Sequence, residues 1–342
     1  MSLNLNYQPT VVVETSGLTE SDWLNYRRLG IGGSDVAAVM GFSPWRTTRD
    51  LYYDKCGIPN AVEDKPNWVT LEVGHLLEPL VAQIFARKTG LTVTNDTKMY
   101  RHPLYPFMLA DLDFRVEDAE GKQGVLECKT SNLNSMDKWS NDGVPSYYEW
   151  QCRHYMAVMN LDFVYIACLF SNNENDFVIR RIDRDLDIEA DMIEAERSFW
   201  EDFVQAHVEP EYTERGDLVL DSLRRHYGAS NPATAAVTLS PSLMPALRRW
   251  VELREQKQQL DRNARAMSEE LDRIIAPVLD ELKSAGQGVC SAGGESYTVQ
   301  WKTKTRTSIN KDDLLRLKTN LPSVYDEYSS CSESRTPTVK KG

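Results

Sequence analysis

The sequence lacks most features of a secreted, membrane or metal-knot protein. Its six cysteines are scattered and form no Cys-x-x-Cys pair, which argues against a disulfide framework, a zinc knot and a four-cysteine iron–sulfur site. No apolar run reaches the length of a membrane-spanning helix, and the first residues contain no basic-then-apolar signal segment. We therefore expect a cytoplasmic protein without membrane contact.

Positive charge is also scarce. The chain has 39 lysine and arginine residues against 51 aspartate and glutamate residues, a net charge of −12. This balance argues against a protein that coats nucleic acid through bulk attraction. It permits an enzyme whose phosphate contacts are confined to one groove or to the interior of a ring. A length of 342 residues with 41% hydrophobic content predicts one large or two modest domains with a packed core.

What the sequence does contain is a pair of predicted β-strands at its centre. Residues 110–116 alternate hydrophobic and charged side chains, and residues 124–130 place Glu127 and Lys129 on one face. The acidic, glycine-containing run between them predicts a hairpin turn. Such a hairpin would bring Asp113, Glu127 and Lys129 together at one end of a sheet.

Two carboxylates and one amine in this arrangement suit metal-assisted phosphodiester hydrolysis. Neighbouring carboxylates raise each other's pKa unless a divalent cation lies between them. Oxygen ligands with few histidines nearby favour Mg²⁺, with Mn²⁺ as a substitute. Lys129 could orient or deprotonate a water molecule, or neutralise charge on the phosphate. Taken alone, the same spacing also describes a surface hairpin with a Glu–Lys pair.

Five blocks of sequence follow one another between about residues 20 and 170. They are Trp23 with Arg28-Leu29-Gly30-Ile31-Gly32-Gly33-Ser34, Gly74-His75-Leu76-Leu77-Glu78-Pro79, Ala110-Asp111-Leu112-Asp113, Leu126-Glu127-Cys128-Lys129-Thr130 and Tyr148-Glu149-Trp150-Gln151. In this order the blocks resemble the PD-(D/E)xK nucleases. Within that superfamily they are most similar to the phage alkaline exonucleases, which include lambda exonuclease and the YqaJ-type viral recombinases.

The resemblance implies an α/β fold with a restriction-endonuclease-like PD-(D/E)xK core, in which helices flank a mixed β-sheet. We assign the nuclease domain to residues 1–215 and a C-terminal extension to residues 216–342. The extension is predicted to contain a long helix, a β-hairpin and a flexible tail after Ser329.

Two patterns in the extension remain open. The predicted long helix, residues 246–284 with a bend at Pro277, carries apolar residues at near-heptad spacing over too few turns to define a coiled coil: Leu253, Leu260, Met267, Leu271 and Ile274. A predicted strand at residues 297–306 places Lys302, Lys304 and Arg306 on one face. That row fits either a DNA backbone or a solvated edge strand.

The resemblance assigns catalytic roles to the central residues. Asp113, Glu127 and the backbone carbonyl of Cys128 are expected to hold Mg²⁺. Lys129, steered by Gln151, is expected to position or deprotonate the attacking water.

Three further residues belong to the implied site. Glu78, on a helix predicted for residues 70–90, would assist a second metal, so that the site takes one or two ions. Arg28 and Ser34, in a glycine-rich turn at a helix N-terminus, are expected to hold the terminal 5′-phosphate.

Five other residues are secondary candidates. His102 stands near the place where the family has another metal-binding aspartate, and it also fits an ordinary loop residue. Asp111 is a fallback carboxylate on the strand of Asp113. Trp45 and Arg46 fit either DNA contacts or packing under a helix. Lys138 lies in a polar loop where the family contacts DNA phosphates.

The activity implied by the resemblance is 5′-to-3′ degradation of linear double-stranded DNA. It would release mononucleotides and leave 3′ single-stranded overhangs for annealing-type phage recombination. The family further implies a ring-shaped homo-oligomer such as a trimer, a single-strand annealing protein as partner, and a phage or prophage in a bacterial host. The alternatives are another PD-(D/E)xK nuclease, either an endonuclease or a RecB-like repair nuclease, and a non-catalytic DNA-binding module.

Overall fold

The structure, a computed structural model, describes residues 3–62, 67–231, 233–305 and 308–329. Its contacts divide the chain into a first unit, Met1–Gly228, and a second unit, Ala229–Gly342. The division follows the helix Gly216–Tyr227, whereas the boundary predicted from the sequence precedes it. This helix is tied to the first unit because Ser222 and Arg225 each donate a 2.8 Å hydrogen bond to Asp50. Arg306 and the tail predicted after Ser329 lie outside the described residues.

The first unit alternates helices and strands. Its helices are α1 Glu20–Arg28, α2 Gly33–Val39, α3 Thr48–Lys55, α4 Trp68–Thr89, α5 Ser146–Met159, α6 Leu186–Ser198 and α7 Gly216–Tyr227, with 3₁₀ turns at Leu133–Trp139 and Glu174–Asp176 and a π-helical continuation of α6 at Phe199–Gln205. Its strands are β1 Thr10–Glu14, β2 Ile31–Gly32, β3 Thr92–Asn95, β4 Lys98–Arg101, β5 Met108–Asp111, β6 Phe114–Glu117, β7 Gln123–Ser131, β8 Phe163–Phe170 and β9 Phe177–Asp183.

A five-stranded sheet of order β3-β6-β7-β8-β9 forms the centre of this unit among the described residues. Strands β7 and β8 are parallel and the other neighbours are antiparallel, so the sheet is mixed, as predicted. Strand β7 also has the predicted alternation. Leu126 and Cys128 join the core under α4, whereas Val125 joins the core under α5. The side chain of Glu127 reaches Gln151 of α5.

The strand predicted over residues 110–116 is in fact two strands in two sheets. Strand β5 ends at Asp111 in a four-stranded sheet of order β1-β4-β5-β2, and β6 begins at Phe114 in the five-stranded sheet. The chain passes from one sheet to the other at residues 112–113, where Leu112 is buried in the core. The prediction of one regular strand was wrong because it could not detect this change of sheet.

Helix α4 is buried along its second half only. Val81, Ala82 and Phe85 pack against β7 and β8, whereas Leu76 is 68% exposed, although the sequence pattern placed it on a buried stripe. At 22 residues and a mean hydropathy of 1.2, α4 passes a test for membrane spans that uses length and composition alone. The sequence analysis expected no such segment. The packing of the second half against the sheet is typical of a core helix.

The second unit contains α8 Met244–Leu282, the antiparallel hairpin of β10 Gln287–Ala292 and β11 Glu295–Gln300, and helices α9 Lys311–Asn320 and α10 Pro322–Tyr328. The predicted long helix and hairpin are therefore present, and α8 continues through Pro277. Strand β11 ends at Gln300, so Lys302 and Lys304 lie beyond the strand on which the sequence analysis placed them.

Candidate active site

A cleft of about 780 Å³ opens in the first unit beside the junction of β5 and β6. Helix α1, the first half of α4, strand β7 and helix α5 contribute to its walls. Eight of the residues predicted from the sequence line this cleft: Ser34, Glu78, Asp111, Asp113, Glu127, Cys128, Lys129 and Gln151.

Asp113 and Glu127 face each other across the β6–β7 ladder. Phe114 pairs with Leu126 in that ladder, so the preceding residue, Asp113, comes next to Glu127. The backbone amide of Cys128 donates a 2.8 Å hydrogen bond to Asp113 Oδ2 and fixes the carboxylate. Burial and the neighbouring Glu127 carboxylate raise the pKa of Asp113 well above its ordinary value.

The Glu127 carboxylate is only half satisfied. The residue is 1% exposed, and its Oε1 accepts hydrogen bonds from Lys129 Nζ at 2.5 Å and from Gln151 Nε2 at 2.7 Å. Its Oε2 is buried and finds no hydrogen-bond partner among the described residues. Because an unpaired buried carboxylate oxygen is costly, this atom is a suitable ligand for a cation.

Lys129 and Gln151 are held in place by the residues around them. The Lys129 ammonium lies 4.9 Å from the centre of the Tyr148 ring, a cation–π contact. Burial alone would lower the pKa of Lys129, but the carboxylates of Glu127 and Asp113 outweigh it and raise that pKa. Gln151 Nε2 also donates to the hydroxyl of Tyr155 at 2.9 Å, one helical turn along α5.

One wall of the cleft is the face of α1 that carries Trp23 and Arg27. Trp23 Nε1 donates a 2.6 Å hydrogen bond to Oδ2 of Asp111, the alternative carboxylate of the sequence analysis. That oxygen is therefore already paired within the chain. The Arg27 guanidinium lies 4.9 Å from the Trp23 ring centre and donates to Ser34 Oγ at 2.7 Å. Arg27 and Ser34 therefore form the pair that the sequence analysis expected from Arg28 and Ser34.

Arg28 lies outside the cleft lining. Its Nε contacts Asp54 Oδ1 at 3.4 Å on an exposed surface. Successive residues of an α-helix point about 100° apart, so only one of two adjacent arginines can share the face of Trp23. Arg27 shares it because it is four residues from Trp23. That spacing indicates from the sequence which arginine shares the face of Trp23, and the structure shows that this face lines the cleft.

A buried charge cluster supports this wall. Asp35 accepts hydrogen bonds from Arg27 Nη2 at 3.1 Å, from Lys55 Nζ at 2.7 Å and from Arg46. Burial alone would raise the pKa of Asp35, but the three cations outweigh it and hold that pKa well below its usual range. Arg46, a candidate DNA contact, is thus bound to Asp35.

Ser34 is not the N-cap residue of the helix that follows the glycine-rich turn. Helix α2 begins at Gly33 with Gly32 as its N-cap residue. Asp35 Oδ2 accepts the 3.0 Å hydrogen bond of the Gly32 amide, so Asp35 supplies the reciprocal capping contact. Ser34 lies within the first helical turn, where its hydroxyl is available to Arg27.

Three secondary candidates lie outside the cleft lining. His102 is buried, and its Nδ1 accepts 3.1 Å hydrogen bonds from the amides of Leu104 and Tyr105, so it shapes a loop. Burial lowers the pKa of His102 to about 4. Trp45 packs edge-on against Tyr147 with ring centres 4.8 Å apart. Lys138 is exposed on the 3₁₀ turn that follows β7.

The donor set of the cleft fits a hard divalent cation. Its carboxylates outnumber its permanent cations, Arg27 and Lys129. Burial raises the pKa of Glu78, and the Glu127 carboxylate adds to that increase. In the part of the chain that the structure describes, no group of three or more His, Cys, Asp or Glu residues is arranged to hold a metal ion. The fit therefore depends on the Asp113–Glu127 pair, the free Glu127 Oε2 and main-chain oxygen.

Comparisons with known proteins point to one family. The YqaJ-like viral recombinase domain matches residues 22–162. The chain is 27% identical over 333 residues to the Bacillus subtilis (strain 168) protein described as "Uncharacterized protein YqaJ", and the match covers 97% of each chain.

Two solved structures are similar at lower levels. An alkaline exonuclease (LHK-Exo) from Laribacter hongkongensis has a TM-score of 0.46 and 20% identity, over 55% of this chain and 94% of that one. A phage-related exonuclease from Haemophilus somnus 129PT has a TM-score of 0.41 and 15% identity, over 54% of this chain and 99% of that one.

Proposed function

Because residues 22–162 match the YqaJ-like viral recombinase domain, the family that the order of the motifs resembles, we propose that the chain is a metal-dependent exonuclease. Its substrate is the end of linear double-stranded DNA. It degrades one strand from the 5′ end, releases mononucleotides and leaves a 3′ single strand for annealing. The main support is that Asp113, Glu127, Lys129 and Gln151 converge in one cleft, where a buried carboxylate oxygen of Glu127 remains unpaired.

Asp113, Glu127 and the backbone carbonyl of Cys128 are the residues that would hold Mg²⁺ or Mn²⁺. Glu78, across the same cleft, would assist a second ion. When bound, such an ion supplies Lewis-acid polarisation of the phosphate and a more acidic water.

The other residues of the cleft position the reactants. Gln151 and Lys129 both bind Glu127 Oε1, which leaves Oε2 for the cation. We assign to the Lys129 ammonium the orientation of the attacking water and the stabilisation of charge on the phosphate. Arg27 replaces Arg28 in our assignment of the terminal 5′-phosphate site, together with Ser34, because this pair lines the cleft.

The proposal is tested with 5′-labelled linear duplex and Mg²⁺. We expect Lys129→Ala to release nucleotides roughly a hundredfold more slowly, because removing a preorganised charge at a reacting centre costs about 3 kcal/mol. DNA binding should be largely retained. Lys122→Ala is the matched control, since this lysine is exposed in the turn between β6 and β7, outside the cleft lining, and should leave the rate unchanged. Release at the wild-type rate by Lys129→Ala would contradict the assignment.

Two controls separate the alternatives. Covalently closed circular DNA should remain intact, and its cleavage would indicate an endonuclease. A non-catalytic DNA-binding module would bind the linear duplex without releasing nucleotides at any Mg²⁺ or Mn²⁺ concentration.

The partners proposed from the family are a homo-oligomeric ring of this chain, such as a trimer, and a single-strand annealing protein. The cellular setting would be the cytoplasm of a bacterium that carries the phage or prophage. The net charge of −12 supports DNA contact through an enclosed surface only, because the exterior repels phosphate. Light scattering of the purified chain, alone and with DNA ends, measures the molar mass and therefore the number of copies in the ring.

A further inference from the structure

Helix α8 has an apolar stripe that no described residue of the chain buries. The helix is 39 residues long and contains no buried residue. Its apolar stripe is between 48% and 67% exposed at Leu253, Leu260, Met267, Leu271 and Ile274. A helix of this length with an exposed apolar stripe is typical of a segment that packs against another helix.

The spacing of the stripe is that of a coiled coil. Counting Trp250 as position a of a heptad, positions a and d alternate without interruption over α8, and we call these residues the α8 seam: Trp250, Leu253, Lys257, Leu260, Ala264, Met267, Leu271, Ile274 and Val278. All but Lys257 are apolar. The exposed residues that the sequence analysis considered too few are thus part of a longer regular pattern.

We propose that the α8 seam binds the α8 seam of a second copy of this chain, in antiparallel orientation. The charges beside the seam decide the orientation, because residues at positions e and g meet across a coiled coil. In a parallel pair, position g meets position e of the next heptad. Arg249 would then face Arg254 of the second copy, which is repulsive.

In an antiparallel pair, e meets e and g meets g. If Trp250 packs against Met267 of the second copy, Arg254 faces Asp261, and the twofold symmetry produces this contact twice. The same register places Arg249 opposite Glu270 and Gln256 opposite Asn263. Each of these three flanking pairs is therefore either opposite in charge or capable of hydrogen bonding.

The residues inside the seam suit this register. Ala264 comes opposite Leu253 and leaves room for the larger side chain. Lys257 comes opposite Leu260 near the twofold axis, where its aliphatic stem covers the leucine and its ammonium reaches water. A single polar residue at an a position is a known means of fixing register. Arg254 already lies along the seam, 5.0 Å from the centre of the Trp250 ring.

Charge reversal in the full-length chain tests the proposal. Arg254→Glu places a second carboxylate against Asp261, and Asp261→Arg places two arginines together, so each variant alone should show about half the wild-type mass by light scattering at equal concentration. If the first unit forms a ring, the same halving is expected when α8 pairs join two rings. An equimolar mixture of the two variants should recover the wild-type mass, because the mixed pair forms both salt bridges. Arg262→Glu is the control, since position f faces away from the seam.

Three results would overturn the proposal. Wild-type mass in both single variants would show that the α8 seam does not hold two copies together. Failure of the mixture to recover the mass would exclude the antiparallel register. A gain in mass for Arg254→Glu would indicate a parallel pair, since the introduced carboxylate would then face Arg249. Circular dichroism of each variant checks that α8 remains helical.

Discussion

Helices α5 and α8 both carry apolar side chains along their length but differ in what buries them. Eight of the 14 residues of α5 are buried, including Gln151 of the cleft. None of the 39 residues of α8 is buried. The comparison shows that a helical apolar stripe predicts burial but not the chain that provides it. In α5 the two sheets of the first unit cover the stripe, and for α8 we propose a second copy.

The largest expected effect concerns the charge cluster around the buried Asp35 of α2, the helix that packs beside α5. Asp35→Asn should lower the free energy of unfolding of the first unit by about 3–5 kcal/mol, because it leaves the buried Lys55 and the partly buried Arg27 and Arg46 without their anion. Asp183→Asn is the control, since the exposed contact of Asp183 with Arg181 is worth under about 1 kcal/mol. Chemical denaturation measures both. Equal effects would show that the buried cluster behaves like a surface pair.

The pH dependence of this effect has a defined sign. The pKa of Asp35 is lower in the folded protein than in the unfolded chain, so its ionised carboxylate stabilises the folded state above the ordinary aspartate pKa. That stabilisation is lost as the pH falls from this value toward the folded pKa. The difference between wild type and Asp35→Asn should therefore be constant near neutrality and shrink in acid.

One substitution made in both helices tests the comparison directly. Met156 of α5 is 1% exposed and Met267 of α8 is 66% exposed. Met156→Ala should cost about 2–5 kcal/mol by leaving a cavity. Met267→Ala should cost less than about 0.5 kcal/mol in dilute solution, as a surface change does. The cost of Met267→Ala should rise with protein concentration, because the second copy then buries the methionine. Denaturation at several protein concentrations measures this cost. A cost of Met267→Ala that stays constant would contradict the comparison.

The smallest expected effect concerns the fit of α5 against α2. A Cβ atom at Gly33 would stand 2.6 Å from Tyr155 Cε1 and 3.1 Å from Gln151 Cγ. Gly33→Ala should therefore cost about 1–3 kcal/mol and slow nucleotide release by displacing Gln151. Gly74→Ala in α4 meets no atom within 4 Å and should stabilise the helix by about 0.5–1 kcal/mol. In thermal unfolding, Gly33→Ala should therefore melt at a lower temperature than Gly74→Ala. The reverse order would contradict the close packing at Gly33.

Local periodicity predicted most of what lies within single elements. The alternation of β7 correctly separated Glu127 from Cys128, and the apolar pattern correctly predicted α8. The mixed α/β core was predicted by the resemblance to the nuclease family. The placement of Asp113 beside Glu127 also followed from the hairpin, because a register is a local property of two strands and a turn. The catalytic roles of these residues remain predictions.

The misses depend on contacts between distant segments. Arg27 and Arg28 are adjacent residues of the same type. Only the orientation of α1 against the cleft shows that Arg27 is the one that lines it and contacts Ser34. The sequence analysis left Arg46 open between a DNA contact and packing under a helix, because its ion pair with the buried Asp35 is visible only in the fold. The exposed first half of α4 carries the same stripe as its buried second half, but it contributes residues to the cleft, whereas the second half packs on the sheet.

The hydrogen bond from the Cys128 amide to Asp113 has a mechanical consequence. Asp113 lies where the chain leaves one sheet for the other, a place that would shift if the sheets slid past each other. The Asp113 carboxylate is hydrogen-bonded to the backbone of β7, the strand that carries Glu127. The spacing of the two carboxylates therefore depends on the pairing of β6 with β7 and not on contacts between the two sheets. A small displacement of one sheet against the other would therefore leave the two carboxylates at the same separation.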